Sequence, residues 1–442
     1  MFAIHPCTSL QEVTSLEWII LGAFALALFI CIATGQNILL ALSFGLCLFL
    51  FYGHRQGFSF RKLISMVGKG IFPVRNILLT FVFIGVLTAL WRACGTIPVL
   101  VSYSARLIRP SIFLPMAFLL NAGVSFLTGT SFGTASTMGV ICAAMGRALG
   151  VSPLLLGGSI LSGAFFGDRC SPVSTSALLV ASLTETTVYD NIPSMMKSAR
   201  VPLVLSLLLY ALFGFFGPSS GSVPDVTEPF AAMNLSPLAL LPAIAILVLA
   251  ALRVNIRLAM AGSILTALPL CFFLQGMPLS EILRTALWGY HPADDILSNL
   301  LGGGGILSMA RVGGIVCLSA SYSDLLKETG LLLPLQEKLS ALAKKRGSFS
   351  ATLAASLLTG VPACNQTLTI LLTHQLCQEE NKDKASFALD LEDTAVVIAP
   401  LIPWSIAGAV PLSVIGAPKA SILASFYLIL IPLYRLLTTK RV

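Results

Sequence analysis

Charge is what this sequence has least of. Of its 442 residues, 10% are Asp, Glu, Lys or Arg and 56% are hydrophobic, with a mean hydropathy of +0.91. A water-soluble domain carries roughly 25% charged residues to cover its surface, so a soluble fold is excluded. There is no Cys-x-x-Cys pair, and the ten cysteines are scattered, mostly within apolar runs. Free Cys behaves there as a small hydrophobe, which sets aside a disulfide framework and a zinc site. Histidine is scarce: His5 and His54 precede the repeated part, and His291 sits in a polar loop. His374 lies in an apolar helix, where packing is a better reading than proton relay. The glycines Gly302–Gly305 lack the Lys-Ser/Thr of a phosphate loop and read as a flexible helix entry. No Lys or Arg precedes the first apolar run near Leu16, so that run reads as a retained helix and not a secretory signal. No nucleophile–base or metal constellation is visible, which argues against an enzyme and implies no cofactor.

What is present is a succession of apolar runs. A helix crosses a bilayer with roughly 17–25 such residues. About twelve of about fifteen runs approach that length. They are Leu16–Thr34, Asn37–Tyr52, Asn76–Ala93, Phe113–Leu127, Ala135–Leu149, Pro153–Phe166, the short Ser176–Leu183, and Val201–Phe216. Pro237–Ala251, Leu258–Leu274, Gly304–Ser323, Phe349–Leu358, Leu368–Cys377, Val396–Val414 and Ile422–Leu437 follow. A stretch with Arg106 and Arg109 reads as interfacial, and one with Lys338, Lys344, Lys345 and Arg346 as a basic amphipathic segment.

The net charge of +8 comes from Lys and Arg gathered between these runs, as the positive-inside rule requires; nucleic acid is not implied. That rule puts the Arg55–Arg75 loop and Lys338–Arg346 in the cytoplasm. Arg253, Arg257 and the Lys440-Arg441 tail fall on the same side. With the short Ser176–Leu183 run re-entrant, the loop Gly217–Ser236, with Asp225 and Glu228 but no base, falls outside, and so, against the rule, do Arg106 and Arg109.

The halves share a pattern. Gly95-Thr96-Ile97-Pro98 is followed by Thr128-Gly129 after 33 residues and Pro172 after 44 more; Gly330 is followed by Thr359-Gly360 after 29 and Pro400 after 41. The segments opening the two halves run in opposite directions, the inverted repeat common among secondary transporters. The expected fold is therefore an all-α polytopic membrane protein of about ten to twelve spans. It has two inverted repeats with broken helices or re-entrant hairpins. Residues 1–75 form a helix pair and basic loop, 76–216 the first repeat, 217–301 a connecting loop and helix pair, and 302–442 the second repeat.

Small polar residues interrupt the runs. Thr128-Gly129-Thr130-Ser131-Phe132-Gly133-Thr134 offers hydroxyl and carbonyl oxygens at an opened helix, which membranes tolerate only where it lines a cavity or is buried. Helix packing also favours small residues, but on one face only. Gly167–Ser176 contains Asp168 and Arg169, then Ser171, Ser174 and Thr175. An intramembrane carboxylate is costly, usually functional and commonly paired with a base; the bland alternative is a solvated cap at the membrane face. In the second half Asn365 and Gln366 present amides suited to a cation, a polar solute or an N-cap. Glu392 and Asp393, ahead of Pro400–Ser405, suit a site or an exposed first helical turn equally.

At these motifs the chain resembles the NhaC-type Na+/H+ antiporter family of the ion-transporter superfamily, roughly from Asn76 onward. The likeness rests on Thr128–Ser131, Gly167–Ser174 and Glu392-Asp393 leading to Ala399-Pro400-Leu401-Ile402-Pro403-Trp404-Ser405. It implies exchange of protons for sodium in the bacterial inner membrane, with relatives that couple malate or lactate, or carry amino acids. Sodium-type members place an acid where Thr175 stands and an amide where Leu178 stands. The expected site is Asp168, Ser171, Ser174, Thr175, Thr128, Thr130, Ser131, Asn365, Gln366, Asp393 and Ser405. Asp168 would hold a cation or a proton in mutual exclusion. An ion-coupled carrier of an amino acid or small organic acid is the second reading. The expected partners are the lipid bilayer and small ions or a polar solute, with a homodimer left open.

Overall fold

A computed structural model describes residues 10–34, 36–107, 109–172, 174–216, 233–252, 254–292, 298, 301–331, 334–381 and 383–439. Most of the Gly217–Ser236 loop, Arg253, Val173 and the Lys440-Arg441 tail lie outside these. Among the described residues the chain is helical, and the one β-contact is the Tyr290–Gly303 bridge.

Two apolar helices open the chain, α1 (Leu10–Ala33) and α2 (Ile38–Arg55). The segment expected as a basic loop is instead helical: α3 (Phe60–Ile71) starts at a Ser59 cap and buries Leu63, Met66 and Gly70. A Cβ on Gly70 would lie 2.4 Å from the Ala320 carbonyl oxygen, so only glycine permits this approach.

The first repeat runs α4 (Arg75–Ala93), α5 (Thr96–Leu107) and α6 (Pro110–Thr128), then breaks at Gly129-Thr130. It resumes as α7 (Ser131–Thr134), a π-bulge at Ala135–Gly139 and α8 (Val140–Ala148). Next come α9 (Pro153–Cys170), a second break, α10 (Thr175–Leu183) and the 29-residue α11 (Val188–Phe216). A connecting set follows, α12 (Leu241–Ala251), α13 (Ile256–Pro269) and α14 (Leu279–Trp288).

The second repeat has the same order. It consists of α15 (Ala310–Thr329), α16 (Pro334–Arg346), α17 (Ser348–Ala363), a break, and α18 (Gln366–Cys377). Then come α19 (Lys384–Asp393), α20 (Ala395–Ile398), a further break, α21 (Ile406–Val414) and α22 (Phe426–Thr438).

Backbone geometry matches at the breaks. Gly129 (φ 65°, ψ 25°) and Cys364 (φ 55°, ψ 7°) both turn left-handed, and Thr130 and Asn365 both cap the next helix from extended backbone. Ser171 and Ile402 are extended, and Ser174 and Ser405 cap α10 and α21 with their hydroxyls. Gly129 therefore corresponds to Cys364. Thr359-Gly360, the sequence landmark for that break, lies inside α17, one turn before its end.

Five helical stretches are long and apolar enough to cross a membrane, and Lys384–Leu401 with Ile406–Val414 make a further pair bent by 54°. Five shorter apolar helices of 10–17 residues accompany them. Large side chains such as Phe29, Leu265, Phe273 and Phe216 are 67–83% exposed. So much exposed apolar surface is unfavourable in water but suits lipid. The chain is an all-α, multi-pass membrane protein.

Candidate functional site

Close helix packing sets the site. Cβ atoms on Gly163 and Gly167 of α9 would fall 2.4 Å from Phe118 O and 2.2 Å from Phe126 N of α6. Glycine at both lets the backbones touch, and Ser125 of α6 donates to the Ala164 carbonyl. The helix then continues through Asp168 and Arg169 to Cys170, and opens only at Ser171. The interruption expected at Gly167 thus begins four residues later.

Between the breaks lies a cavity of about 490 Å³. Thr130, Ser131, Asp168, Thr175, Asn365 and Gln366 line its polar side; Phe132, Leu368, Leu371, Ile406 and Ala407 line the apolar side. Ser131, Thr175, Gln366 and Ile406 are the first residues of α7, α10, α18 and α21. Four helix N-termini, each a partial positive charge, therefore open onto the cavity that Asp168 lines. Among the described residues Asp168 is the one charged residue in the lining, which no Lys, Arg or His joins.

Asp168 is 3% exposed, which rules out a solvated cap. Its Oδ1 accepts from Ser174 Oγ at 2.9 Å, Ser174 Oγ lies 2.9 Å from Ser176 Oγ, and Ser131 and Gln366 complete its polar surroundings. Thr130 Oγ1 accepts from Gly133 N at 3.0 Å, and Asn365 Oδ1 from Leu368 N at 2.8 Å. Gln366 Nε2 donates to Val396 O at 3.2 Å. Ile406 N donates to Cys364 O at 2.8 Å, joining the two breaks of the second repeat.

Not every expected residue reaches the cavity. Thr128 faces Thr134 (Oγ1···Oγ1 3.4 Å), while Ser171, Ser174 and Ser405 are buried behind the lining as break and cap residues. Asp393 stands elsewhere. It is fully buried in the last turn of α19, so the exposed first-turn reading is wrong. Arg169, adjacent to Asp168 in sequence, points about 100° around the helix and pairs with Asp393. Arg435 Nε lies 2.9 Å from Asp393 Oδ2, and Arg435 Nη2 2.6 Å from Asp390 Oδ1. Ser198, Met195 O and Tyr427 also accept from Arg169. Sequence reading missed this ladder: Asp390 and Arg435 resemble ordinary helix-end charges until burial is known. His374 stacks on Phe387 at 5.3 Å, a packed side chain.

A multi-pass helical protein with discontinuous helices meeting at a mid-chain cavity belongs, by architecture, to the secondary transporters. Residues 3–186 and 163–436 match the Na+/H+ antiporter family, and the chain belongs to that family. It is 28% identical over 424 residues to the malate-2H+/Na+-lactate antiporter of Bacillus subtilis, covering 93% of this chain and 90% of that one. It is 27% identical to the arginine/ornithine antiporter ArcD of Halobacterium salinarum (84% and 79% covered). It is equally 27% identical to the Na+/H+ antiporter NhaC of Alkalihalophilus pseudofirmus (80% and 79% covered).

Proposed function

We propose that this chain exchanges Na+ for protons across a bacterial inner membrane, by alternating access of the cavity between two inverted repeats. Asp168 carries the reading. It is a buried carboxylate facing a cavity framed by hydroxyls, amides and broken helices, and no base neutralises it there. A hard cation favours such oxygens. The basic segments Arg55–Arg75 and Lys338–Arg346 face the cytoplasm in this scheme.

A second reading is favoured by one observation. A cavity of about 490 Å³ exceeds what a bare Na+ occupies, and converging helix N-termini receive carboxylates well. An ion-coupled carrier of an amino acid or small organic acid therefore stands beside the first. Proteoliposomes with an imposed pH gradient, offered Na+, lactate, malate, arginine and ornithine in turn, decide between them. Uptake of Na+ alone supports the first. Uptake of an organic solute that collapses the pH gradient, without Na+ movement, refutes it.

A further inference from the structure

Glu392 sits in the last turn of α19, two residues before Thr394, whose φ of −125° and ψ of −83° end the helix. It is fully buried, and neither carboxyl oxygen has a hydrogen-bond partner among the described residues. Arg169 holds the backbone of Glu392, Nε to carbonyl at 3.3 Å, but not its side chain. The other guanidinium nitrogens are engaged by Cys170, Met195, Tyr427, Ser198 and Asp393.

The titratable groups that act on Glu392 are Asp168, Arg169 and Cys170 on α9 and Asp393 on its own helix. In turn, Arg435 of α22 pairs with Asp393 and with Asp390 of that helix, and Tyr427 of α22 accepts from Arg169. The two arginines are matched by Asp390 and Asp393. That leaves Asp168 and Glu392 without a directly paired base, Arg169 acting on Glu392 only through space, and their surroundings differ. Asp168 has the Ser174 hydroxyl and an opening to the cavity, whereas Glu392 has neither. A carboxylate in that position carries its full desolvation cost, while a carboxylic acid does not.

We propose that Glu392 is the proton-binding site of the exchange, separate from the carboxylate that meets the cargo. The proposal rests on the reading that Asp168 holds the cation. A cation arriving at Asp168 offsets a negative charge that acts on Glu392, whose O–H then ionises, the proton being released when rearrangement of the breaks brings water to it. A bare Asp168 keeps the proton on Glu392. Binding of the two ions is thus reciprocal. Both crossing forms, Na+ with ionised Glu392 and no Na+ with protonated Glu392, carry equal net charge. The form bare at both carries one more negative charge and is the costliest to move through the membrane.

The test uses purified full-length protein in detergent, with radioactive Na+ as probe from pH 6 to pH 9 and a dye reporting proton release in weak buffer. Wild type is expected to bind Na+ up to about tenfold tighter per pH unit while Glu392 titrates, releasing about one proton per Na+. Glu392→Gln, isosteric with the protonated acid, should still bind Na+ with a flat pH profile and no proton release. Glu392→Asp should release protons over a displaced pH range. Asp168→Asn should not bind Na+ at any pH. Wild-type pH dependence and proton release in Glu392→Gln overturn the proposal. If Glu392→Gln does not yield a monodisperse protein, an unshifted profile in Glu392→Asp overturns it equally. Undetectable Na+ binding by wild type overturns the cation reading of Asp168 and this assignment with it.

Discussion

Gly167→Ala adds one methyl group where α9 meets α6. Its Cβ would lie 2.2 Å from Phe126 N and 2.4 Å from Ser125 C and Cβ, whereas ordinary contact begins near 3.4 Å. The obstacle includes main chain, which no side-chain rotation relieves, so the helices must separate locally by about 1 Å. Overpacking of this kind costs about 1–3 kcal/mol, against which alanine returns about 0.5–1 kcal/mol of helix propensity. Asp168 is the next residue. Moving it by about 1 Å takes it out of hydrogen-bond range of Ser131 on α7 or Gln366 on α18. A hydrogen bond to a charged group is worth about 1.5–3 kcal/mol, so Na+ affinity should fall roughly ten- to a hundredfold.

Gly123→Ala is the internal control, because a Cβ there, on the facing helix α6, meets nothing within 4 Å. Thermal unfolding in detergent, followed by tryptophan fluorescence, should place Gly167→Ala below wild type and Gly123→Ala at or above it. Na+-driven exchange in proteoliposomes should follow the same order. A Gly167→Ala protein as stable and as tight for Na+ as Gly123→Ala would refute the claim that backbone contact sets the position of Asp168.

Arg169→Met removes one partner of a buried ion pair and should cost about 3–5 kcal/mol; Arg169→Met with Asp393→Leu should recover most of it, as unfolding midpoints of the three proteins will tell. Thr175→Asp places a second carboxylate in the cavity and should tighten Na+ by about tenfold, since cation sites are tuned by ligand charge; unchanged binding isotherms contradict this. Single cysteines at Arg61 and Lys344 of a cysteine-free variant should both label from the cytoplasm with an impermeant maleimide. Labelling of the two from opposite sides removes the inverted orientation of the repeats.

The repeated helices were legible because hydrophobic run length is a strong signal, and Pro153 opens its run as a first-turn proline does. The basic stretch around Arg61 and Lys62 was misread as a loop: α3 is apolar along a narrow stripe only, at Leu63, Met66 and Gly70, and composition over a window hides such a stripe. Thr359-Gly360 misled in the other direction. A Thr-Gly pair resembles a break, yet Thr359 returns its hydroxyl to Ala355 O at 2.8 Å and stays helical, while the break falls at Cys364, a residue with no turn propensity. The Thr130, Asp168, Asn365 and Gln366 set was visible as polar punctuation in apolar sequence. Glu392 was visible but left evenly between a site and an exposed turn, and Asp390 and Arg435 were not visible, because burial across four helices decides their character and no local pattern encodes it.

The separation of Asp168 from Arg169 shows how one helix serves two demands. A basic neighbour facing Asp168 would neutralise it and leave no charge for a cargo ion. A buried carboxylate with no stabilising group at all would be too costly to hold. Helical rotation resolves this by turning Arg169 onto Asp393 of the other repeat and leaving Asp168 to hydroxyls and helix N-termini, which stabilise charge without cancelling it. The Arg169–Asp393–Arg435–Asp390 ladder then joins α9 to α19 and α22, across the repeats. Breaking a buried pair during each cycle would add about 3–5 kcal/mol to the barrier, so α9, α19 and α22 move as one body.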